Sequence, residues 1–374
     1  MRCIIPDEMQ PEILERLPLR PQSLAHASAV CKAWRRIVND QGFLGRHRAR
    51  HGTPLAMGFF HNANATPFPF VHVGGFASFS FERLWDIAHS WKFMDCRHGR
   101  VLLRDEASWS DVCFLVWHPM TGYCHEVIML HDVCTVNHSK KNINVALICA
   151  AGCDDDNHYM NCTPTSPFRI VVVRSDSQGR VSTIVFSSLT GMWAESMPAG
   201  LPPMGVHIRA EPCAIVGNTM YQPLYDYRVL AYDMGNNTLT MFERPRGGNV
   251  RLMKVDGGAR LGLAAAHDLI LRLWERDTNA DGGWVLLKTV DLGDLITGLF
   301  TAPLPWTDAR FPVMPPVKII GVSEEGNALF LWTMVGVYMM CPKSLELTKS
   351  HETVDEGMEI VYPYTASYLL PSPQ

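Results

Sequence analysis

Apolar residues near the N-terminus recur every three or four positions, which is the spacing of one face of an α-helix. In the first run, Ile13, Leu14 and Leu17 follow Pro11, a residue that suits the first turn of a helix. Pro18 cannot continue the hydrogen-bonding pattern of that helix. The sequence therefore predicts a short helix that ends before Pro18.

A second helical run begins near Ser23 and ends at Asn39, with basic residues on its polar side. Its apolar stripe consists of Leu24, Ala27, Val30, Cys31, Trp34, Ile37 and Val38. A module of about 50 residues seldom has a self-sufficient core. We therefore expect part of this stripe to contact another protein.

Beyond Gly52 the helical spacing gives way to short runs rich in Val, Ile, Phe, Trp and Thr. Gly, Pro, Asn and Asp separate these runs about every 8 to 12 residues, a spacing typical of an all-β domain. We place a helical domain at residues 1–50, a short junction at 51–54 and an all-β domain at 55–374.

The β region contains a repeated unit. Four copies begin with a glycine that precedes an apolar run, at Gly99, Gly217, Gly262 and Gly326. Each copy leads to a turn between two strand-like runs, and these turns lie at residues 121–122, 236–237, 281–282 and 343–344. Residues 169–196 form a further copy with a tighter first hairpin. The repeated unit is thus strand, hairpin, strand, turn, strand.

Antiparallel strands that repeat about every 40 to 50 residues are typical of β-propeller blades. With an N-terminal blade from about Leu55 to Asp95, six blades fit the length and seven are the alternative. A propeller also accounts for the few charges in the strands, because neighbouring blades cover both faces of each sheet. We predict a small all-α domain of three helices followed by an all-β propeller.

Four tryptophans lie at positions typical of blades, at Trp193, Trp274, Trp284 and Trp332. Such rings could stack on a ligand. Aromatic side chains bury large areas in cores, however, so we expect most of them to fill the space between blades.

Short motifs occur in order over residues 4–50. They are Ile5-Pro6-Asp7-Glu8, Glu12-Ile13-Leu14, Leu17-Pro18, Val30-Cys31-Lys32 with Trp34-Arg35, and Phe43-Leu44. In order and spacing they resemble an F-box. The resemblance implies helices that dock on a Skp-type adaptor, which tethers the chain to a cullin in a ubiquitin ligase. Met9-Gln10 departs from the family pattern, which usually has two leucines there.

The resemblance also implies which side chains bind the adaptor. The candidate adaptor-binding residues are Pro6, Ile13, Leu14, Leu17, Leu24, Val30, Cys31 and Trp34. Some of them must instead hold the short helices together, and Leu14 and Trp34 fit either role.

The β region has its own recognisable phrases. They are VWHPMTG at 116–122, VFSSLTGMW at 185–193, the pair LRLWE and GGWVL at 271–275 and 282–286, and VYPYTASYLL at 361–370. Together they resemble the propeller-like domains that follow the F-box in plant F-box proteins. An F-box followed by such a domain implies a substrate receptor that presents a target protein for ubiquitin transfer, with the chemistry supplied by its partners.

Charge is unevenly distributed along the chain. Residues 1–52 carry a net charge of +4, which leaves −8 for the remainder of a chain whose formal charge is −4. An acidic body disfavours nucleic acid as a partner. No window approaches the eighteen or more consecutive apolar residues of a membrane helix, so we expect no membrane partner.

The eleven cysteines lack close paired spacing, and no apolar segment of secretory length follows Met1. We therefore expect an intracellular protein, in the cytoplasm, the nucleus or both, with reduced thiols.

Cysteines and histidines crowd the middle of the chain without the spacing of a zinc site. They are Cys124, His125, His131, Cys134, His138, Cys149, Cys153, His158 and Cys162. Structural zinc usually needs close pairs that converge four ligands, and only Cys149 and Cys153 come near that pattern. The acidic stretch 154–157 likewise lacks the alternating ligands of a calcium loop. We expect neither a metal nor another cofactor.

The chain contains no G-x-S-x-G, phosphate-loop or H-E-x-x-H motif, so we expect a non-catalytic protein. Two Pro-rich segments, 201–212 and 302–316, carry aromatic residues and arginines. Loops of this kind provide recognition on a rigid scaffold. The candidate target-binding residues are Arg209, Trp306, Arg310 and Phe311.

Two other classes of function stay open. The first is an interaction scaffold whose degenerate F-box no longer reaches a ligase, which the Met9-Gln10 departure favours. The second is an oxidase or sugar-processing propeller, which would bind a metal or turn over a substrate.

Overall fold

The computed structural model describes an N-terminal helical module and six β-sheets. The described residues are 6–17, 21–38, 40–51, 56–62, 70–73, 91–106, 112–129, 143–150, 165–200, 205–277, 282–297, 317–333, 336–351 and 358–365.

Four helices form the described part of the module. They are α1 (Gln10–Glu15), α2 (Pro21–Val30), α3 (Lys32–Val38) and α4 (Gln41–His51). The single run expected over residues 23–39 is divided at Cys31, whose sulfur accepts the Trp34 N–H at 3.5 Å and whose carbonyl accepts that of Arg35 at 3.0 Å. Cys31 therefore caps a new helix, and our expectation of three helices was wrong.

The six sheets follow one another along the chain, and we call them blades 1 to 6. Blade 1 contains β1 (Gly58–His61), β2 (Phe70–His72) and β23 (Val361–Tyr364). Blade 2 contains β3 (Trp91–Arg97), β4 (Arg100–Asp105), β5 (Val112–His118) and β6 (Tyr123–Met129). Blade 3 contains β7 (Ile143–Cys149), β8 (Phe168–Ser175), β9 (Val181–Ser187) and β10 (Met192–Ser196).

The remaining blades have the same order of strands. Blade 4 contains β11 (Ala214–Val216), β12 (Thr219–Pro223), β13 (Arg228–Asp233) and β14 (Thr238–Glu243). Blade 5 contains β15 (Asn249–Val255), β16 (Arg260–His267), β17 (Ile270–Arg276) and β18 (Trp284–Asp291), and is followed by α5 (Leu292–Thr297). Blade 6 contains β19 (Lys318–Val322), β20 (Leu329–Thr333), β21 (Gly336–Met340) and β22 (Leu347–His351).

The first strands of neighbouring blades surround a common axis. β3 contacts β7, β11 contacts β15, β15 contacts β19, β19 contacts β23, and β23 contacts β3. Every pairing within a blade is antiparallel, so each blade is a meander that runs outward from the axis. The chain thus forms a six-bladed propeller, which confirms the predicted fold class and decides between six and seven blades.

Blade 1 is completed by the strand that is most distant from it in sequence. β1 lies between β2 and β23, with Gly58 opposite both His72 and Tyr364. A Cβ atom on Gly58 would lie 2.1 Å from the Val71 carbonyl oxygen, so only glycine fits there. The strand β3, which we expected to end the first blade, instead begins blade 2.

The apolar core lies between the blades. Six buried clusters each combine side chains of two neighbouring sheets, and a seventh lies in the helical module. Between blades 1 and 2, for example, Phe60 packs against Phe93 at 4.9 Å and against Trp117 at 5.9 Å between ring centroids. Each blade therefore buries both of its faces, as its low charge predicts.

The repeated glycines mark the turn that precedes the second strand of a blade. Gly99, Gly217 and Gly326 have φ angles of 70°, 54° and 68°, a region that costs glycine little. Gly262 differs, because it lies inside β16, and the turn before that strand uses Gly257 with φ of 68°. The predicted unit corresponds to strands two, three and four of each blade.

Two of the tryptophans link neighbouring outer strands in the same way. Trp193 of β10 donates its Nε1–H to the Ile128 carbonyl of β6 at 2.9 Å. Trp284 of β18 donates to the Glu243 carbonyl of β14, also at 2.9 Å. Their rings pack in the clusters between those blades. Trp274 is partly buried in the same cluster as Trp284, and Trp332 is partly buried in the cluster between blades 1 and 6.

Within the described ranges, no helix combines the length and the hydropathy needed to cross a membrane.

Closure of the ring through β23 can be tested at Tyr364, which is fully buried. Its ring lies 5.7 Å from that of Phe60 and 6.2 Å from that of Phe70. Because the substitution leaves a cavity, we expect Tyr364→Ala to lower the free energy of unfolding by about 3 to 5 kcal/mol in urea titrations. Tyr225→Ala, the same change at an exposed site, should cost less than about 1 kcal/mol. Equal losses would contradict the importance of the closing strand.

Candidate functional sites on the helical module and the propeller

The helical module has a small core of its own. Its buried side chains are Leu14, Leu24, Ala27, Val38, Phe43 and Leu44, and Leu17, Trp34 and Ile37 pack against them. α4 is joined to α1 by an ion pair of 2.5 Å between Arg46 Nε and Glu15 Oε1, and by a hydrogen bond of 2.7 Å between His51 Nε2 and the Glu15 carbonyl. Arg46 and His51 thus help to hold the module together.

His47 of α4 is a buried polar residue of the module. Its Nε2 lies 3.2 Å from the Leu17 carbonyl oxygen. Burial lowers the pKa of His47 below its ordinary value, so the ring is neutral at physiological pH and donates to that carbonyl.

The predicted adaptor-binding residues fall into two groups. Leu14 and Leu24 lie in the core of the module, where they hold the helices together. Pro6 and Val30 are exposed, and Ile13, Leu17, Cys31 and Trp34 are half-buried. Among the described residues of the module, Val30 is the most accessible large apolar side chain, with 62% of its surface exposed. The structure thus leaves Val30, at the junction of α2 and α3, available to a partner.

The two positions that depart from the F-box pattern have different environments. Met9 is 52% exposed and keeps an apolar side chain on the surface. Gln10 is buried, and its Nε2 donates to Asp7 Oδ1 at 2.8 Å. The polar residue, Gln10, therefore faces the interior of the module, and the residue on the surface, Met9, is still apolar.

Charged side chains meet near the axis of the propeller. Asp95 accepts hydrogen bonds from Arg97 Nε at 2.8 Å and from the backbone N–H of Cys96 and of Leu147, both at 2.9 Å. Arg97 Nη2 donates to the Cys213 carbonyl at 2.5 Å. Burial opposes the charge of Arg97, but Asp95, Cys213 and Glu324 outweigh burial and raise its pKa. These bonds join blades 2 and 3 to the segment that leads into blade 4.

Blade 6 contributes a buried carboxylate to the same region. Glu324 accepts the backbone N–H of His98 at 2.9 Å, and its Oε1 lies 3.1 Å from His98 Nδ1. Burial alone would raise the pKa of Glu324, but His98, Lys254 and Arg97 outweigh burial and lower the pKa to about 2. Glu324 is therefore ionised at neutral pH and attracts cations from blades 2 and 5.

A third group of charges joins blade 5 to the loop before blade 4. Arg251 Nη1 lies 3.2 Å from Glu211 Oε2, and Arg251 Nη2 donates to the Glu359 carbonyl at 3.2 Å. The cavity that these axial residues line measures about 40 Å³, enough for only a few water molecules. The axial charges consequently hold blades together, and this cavity has no room for an organic substrate.

Of the predicted target-binding residues, only Arg209 belongs to the described part of the chain. Its Nη2 lies 2.5 Å from Glu211 Oε1, and its guanidinium lies 5.3 Å from the centroid of the Tyr225 ring. Trp306, Arg310 and Phe311 lie outside the described residues. So do the acidic stretch 154–157 and several of the clustered residues, His131, Cys134, His138, Cys153, His158 and Cys162.

Arg209 belongs to a group of aromatic and basic side chains on blade 4. Arg244 and Arg246 lie over the Tyr227 ring, 5.5 Å and 5.2 Å from its centroid. We call the five residues Arg209, Tyr225, Tyr227, Arg244 and Arg246 the tyrosine–arginine patch. Tyr225 and Tyr227 are among the large apolar side chains that stay exposed. Tyrosine and arginine are the residue types that most often anchor protein interfaces.

The patch is built from loops on one face of the propeller. Arg209 lies between β10 and β11, the two tyrosines lie between β12 and β13, and Arg244 and Arg246 lie between β14 and β15. Loops after the second and fourth strands of a blade emerge on the same face, because consecutive strands alternate in direction. Sequence reasoning identified only Arg209, although the phrases YDYR and ERPR, at 225–228 and 243–246, carry the composition of an interface.

Among the described residues, no group of three or more His, Cys, Asp and Glu side chains is arranged to hold a metal ion.

The role of the axial charges can be tested at Glu324. A carboxylate whose pKa is lowered by the fold stabilises the folded state at pH values above its ordinary pKa of 4.5. That stabilisation is lost as the pH falls towards the lowered pKa of about 2. Because Glu324→Gln leaves buried cations uncompensated, we expect it to cost about 3 kcal/mol at pH 7, and the gap from wild type to narrow below pH 4.5. Urea unfolding at a series of pH values measures both the loss at pH 7 and its dependence on pH.

Glu346→Gln, the same change at an exposed site, should leave the free energy of unfolding unchanged at every pH. A stability difference between Glu324→Gln and wild type that does not vary with pH would contradict the role of the axial charges.

The family comparison concerns the helical module. Residues 3–51 match the family model described as F-box-like. No curated protein matches the sequence. A chain of the crystal structure of BBS1N in complex with ARL6DN resembles this chain with a TM-score of 0.36 and 11% identity, over 78% of this chain and 74% of that one. The chain therefore combines an F-box-like region with a six-bladed propeller, an arrangement that fits a substrate receptor of a ubiquitin ligase.

Proposed function

We propose that this protein is the substrate-recognition subunit of a Skp-cullin-F-box ubiquitin ligase. The observation that carries the proposal is the F-box-like match over residues 3–51, followed in the same chain by a six-bladed propeller. F-box domains generally bind Skp-type adaptors. The helical module would bind such an adaptor, and through it a cullin, while the propeller would hold the target.

The surfaces of the helical module and of the propeller suit different partners. The module keeps a large apolar side chain, Val30, exposed next to the break at Cys31. Burying a large apolar side chain in a complex contributes about 1.5 to 3 kcal/mol before the costs of association. We propose the adaptor-binding domain at residues 1–50 and the receptor domain at 55–374. α4 ends one residue past the first bound, at His51, and β1 begins at Gly58.

The proposed role of the propeller is binding, without catalysis. The axial charged groups contact one another or the backbone of neighbouring blades, and the exposed aromatic and basic groups lie on loops of one face. Such an arrangement suits the binding of a protein segment. Transfer of ubiquitin would be carried out by the enzyme that the cullin recruits.

Adaptor binding can be tested by co-purification of the full chain with a co-expressed Skp-type adaptor. We expect Val30→Asp to reduce capture at least tenfold, because it places a charge where an apolar contact is expected. The matched control is Val285→Asp, which makes the same change at an exposed site on the outer strand of blade 5. Leu14→Asp is less informative, since Leu14 lies in the core of the module and its loss would unfold it.

Two results would contradict the proposal. If the wild-type chain captures neither adaptor nor cullin, the interaction scaffold without a ligase is the better account. If Val30→Asp captures the adaptor as well as Val285→Asp does, the adaptor-binding surface lies elsewhere on the chain.

A further inference from the structure

We propose that the tyrosine–arginine patch and the cleft beside it bind an extended segment of a partner protein that carries several negative charges. The inference names the chemistry of the target, and it rests on the proposed function only in identifying that partner as a ligase target. The negative charges could belong to carboxylates or to phosphorylated side chains, which present the same anionic oxygens to arginine.

The patch contains positive charge without matching carboxylates. Arg246 and the neighbouring Arg272 of β17 are exposed, and neither forms an ion pair within the described part of the chain. Arg209 and Arg228, by contrast, lie within 2.5 Å of Glu211 and Asp226 respectively. An incoming anion would therefore meet Arg246 and Arg272 without displacing an existing partner.

Arg244 gives a second and independent indication. Only 9% of it is exposed, yet its guanidinium hydrogen-bonds to carbonyl groups alone, those of Pro245 at 3.2 Å and Asp226 at 3.3 Å. Its buried Nε has no hydrogen-bond partner among the described residues. Burial and the nearby Arg209 lower the pKa of Arg244 and outweigh Glu211, Tyr227 and Asp226, which raise it. A bound anion would supply the missing compensation.

A cleft adjoins the patch between blades 4 and 5. It measures about 440 Å³, within the range of sites that hold a small ligand or a few side chains. Arg246, Gly247, Ala265, His267, Arg272 and Trp274 line it. Cationic groups thus lie beside apolar surface from Ala265 and Trp274, an arrangement that suits a segment in which an apolar side chain lies between acidic ones.

The surroundings favour a peptide over a nucleic acid. Guanidinium groups already cover faces of the Tyr225 and Tyr227 rings, so those faces are not available for stacking on bases. The carboxylates of Asp226 and Asp268 lie beside the basic groups. A nucleic acid has a phosphate at every nucleotide and would bring negative charges against these two carboxylates. A peptide can instead place its acidic side chains away from the two carboxylates and next to the basic groups.

The charge of the whole propeller domain makes this face distinctive. Residues beyond 52 carry a net charge of −8, so a basic patch is an exception on an acidic body. Most of that body repels an acidic segment, and the patch attracts it. This contrast favours association at one place and predicts that binding weakens as salt rises.

The proposal can be tested by fluorescence anisotropy with the full chain. The probe is the labelled octapeptide Glu-Glu-Leu-Glu-Glu-Leu-Glu-Glu. A second probe replaces the two central glutamates by phosphoserine, and a third replaces every glutamate by glutamine. We expect the first or the second probe to bind, the glutamine peptide to bind at least tenfold more weakly, and the affinity to fall between about 50 and 300 mM salt. The tighter of the first two identifies carboxylate or phosphate as the preferred anion.

The decisive variant is Arg246→Glu with Arg272→Glu, since neither side chain supports the fold through an ion pair. We expect it to weaken binding of the preferred probe at least tenfold. The matched control reverses two exposed charges elsewhere, Arg169→Glu with Lys343→Glu, at the ends of strands that face the opposite side of the propeller. The control should bind within twofold of wild type.

Several outcomes would overturn the inference. Among them are no binding of either anionic probe, equal binding of the glutamine peptide, equal losses in both double variants, and tighter binding of an oligothymidine strand. Capture of the Skp-type adaptor by the Arg246→Glu, Arg272→Glu chain is measured in parallel. Retained capture together with lost peptide binding separates the target site from the adaptor site, so that each proposal can fail alone.

Discussion

The structure depends on the need to cover both faces of every sheet. Strands such as β8, in which seven of eight residues are buried, leave no face that water could solvate. A meander of four such strands is stable only between two others, and a row of them is stable only when it closes into a ring. The pairing of β1 with β23 provides that closure, and the six clusters between blades follow from it.

The same ring constrains where recognition can occur. Its axis is occupied by Asp95, Arg97, Arg251 and Glu324, whose partners belong to other blades or to the segments between them. Charges in this position fix the blades relative to one another and leave only about 40 Å³ between them. Recognition is therefore left to the faces, where loops of different blades meet. The tyrosine–arginine patch combines three such loops on blade 4, and Arg272 extends its charge onto blade 5.

The sequence predicts the part of each blade whose signal is local. Glycines with positive φ, such as Gly99 and Gly326, and the turns before the fourth strands reveal strands two to four. The first strands are harder to recognise because they carry charged residues at the axis, as Asp95 and Arg97 do in β3. Helix counting failed at Cys31 for a different reason, since a thiol is a rare helix cap and the apolar stripe continues across it.

Long-range features were beyond the reach of sequence patterns. Nothing in VYPY indicates that it pairs with GFFH, and nothing in YDYR indicates that Arg244 and Arg246 lie over its second tyrosine. Residues of one sequence motif also differ in burial, which the sequence does not reveal. Leu14 and Val30 both belong to the F-box resemblance, yet one lies in the core and the other on the surface. Only the packing of the helices distinguishes their roles.

The closing strand has a consequence for the order in which the protein matures during translation. The helical module leaves the ribosome first, and the contacts of its small core lie within residues 14–44, so they do not depend on the blades that are still being made. β1 follows at once but must wait for β23, and until then the edges of an open row of blades are exposed to other chains. A ribosome that stops before Val361 would therefore release a chain whose ring of blades is unclosed and prone to aggregation.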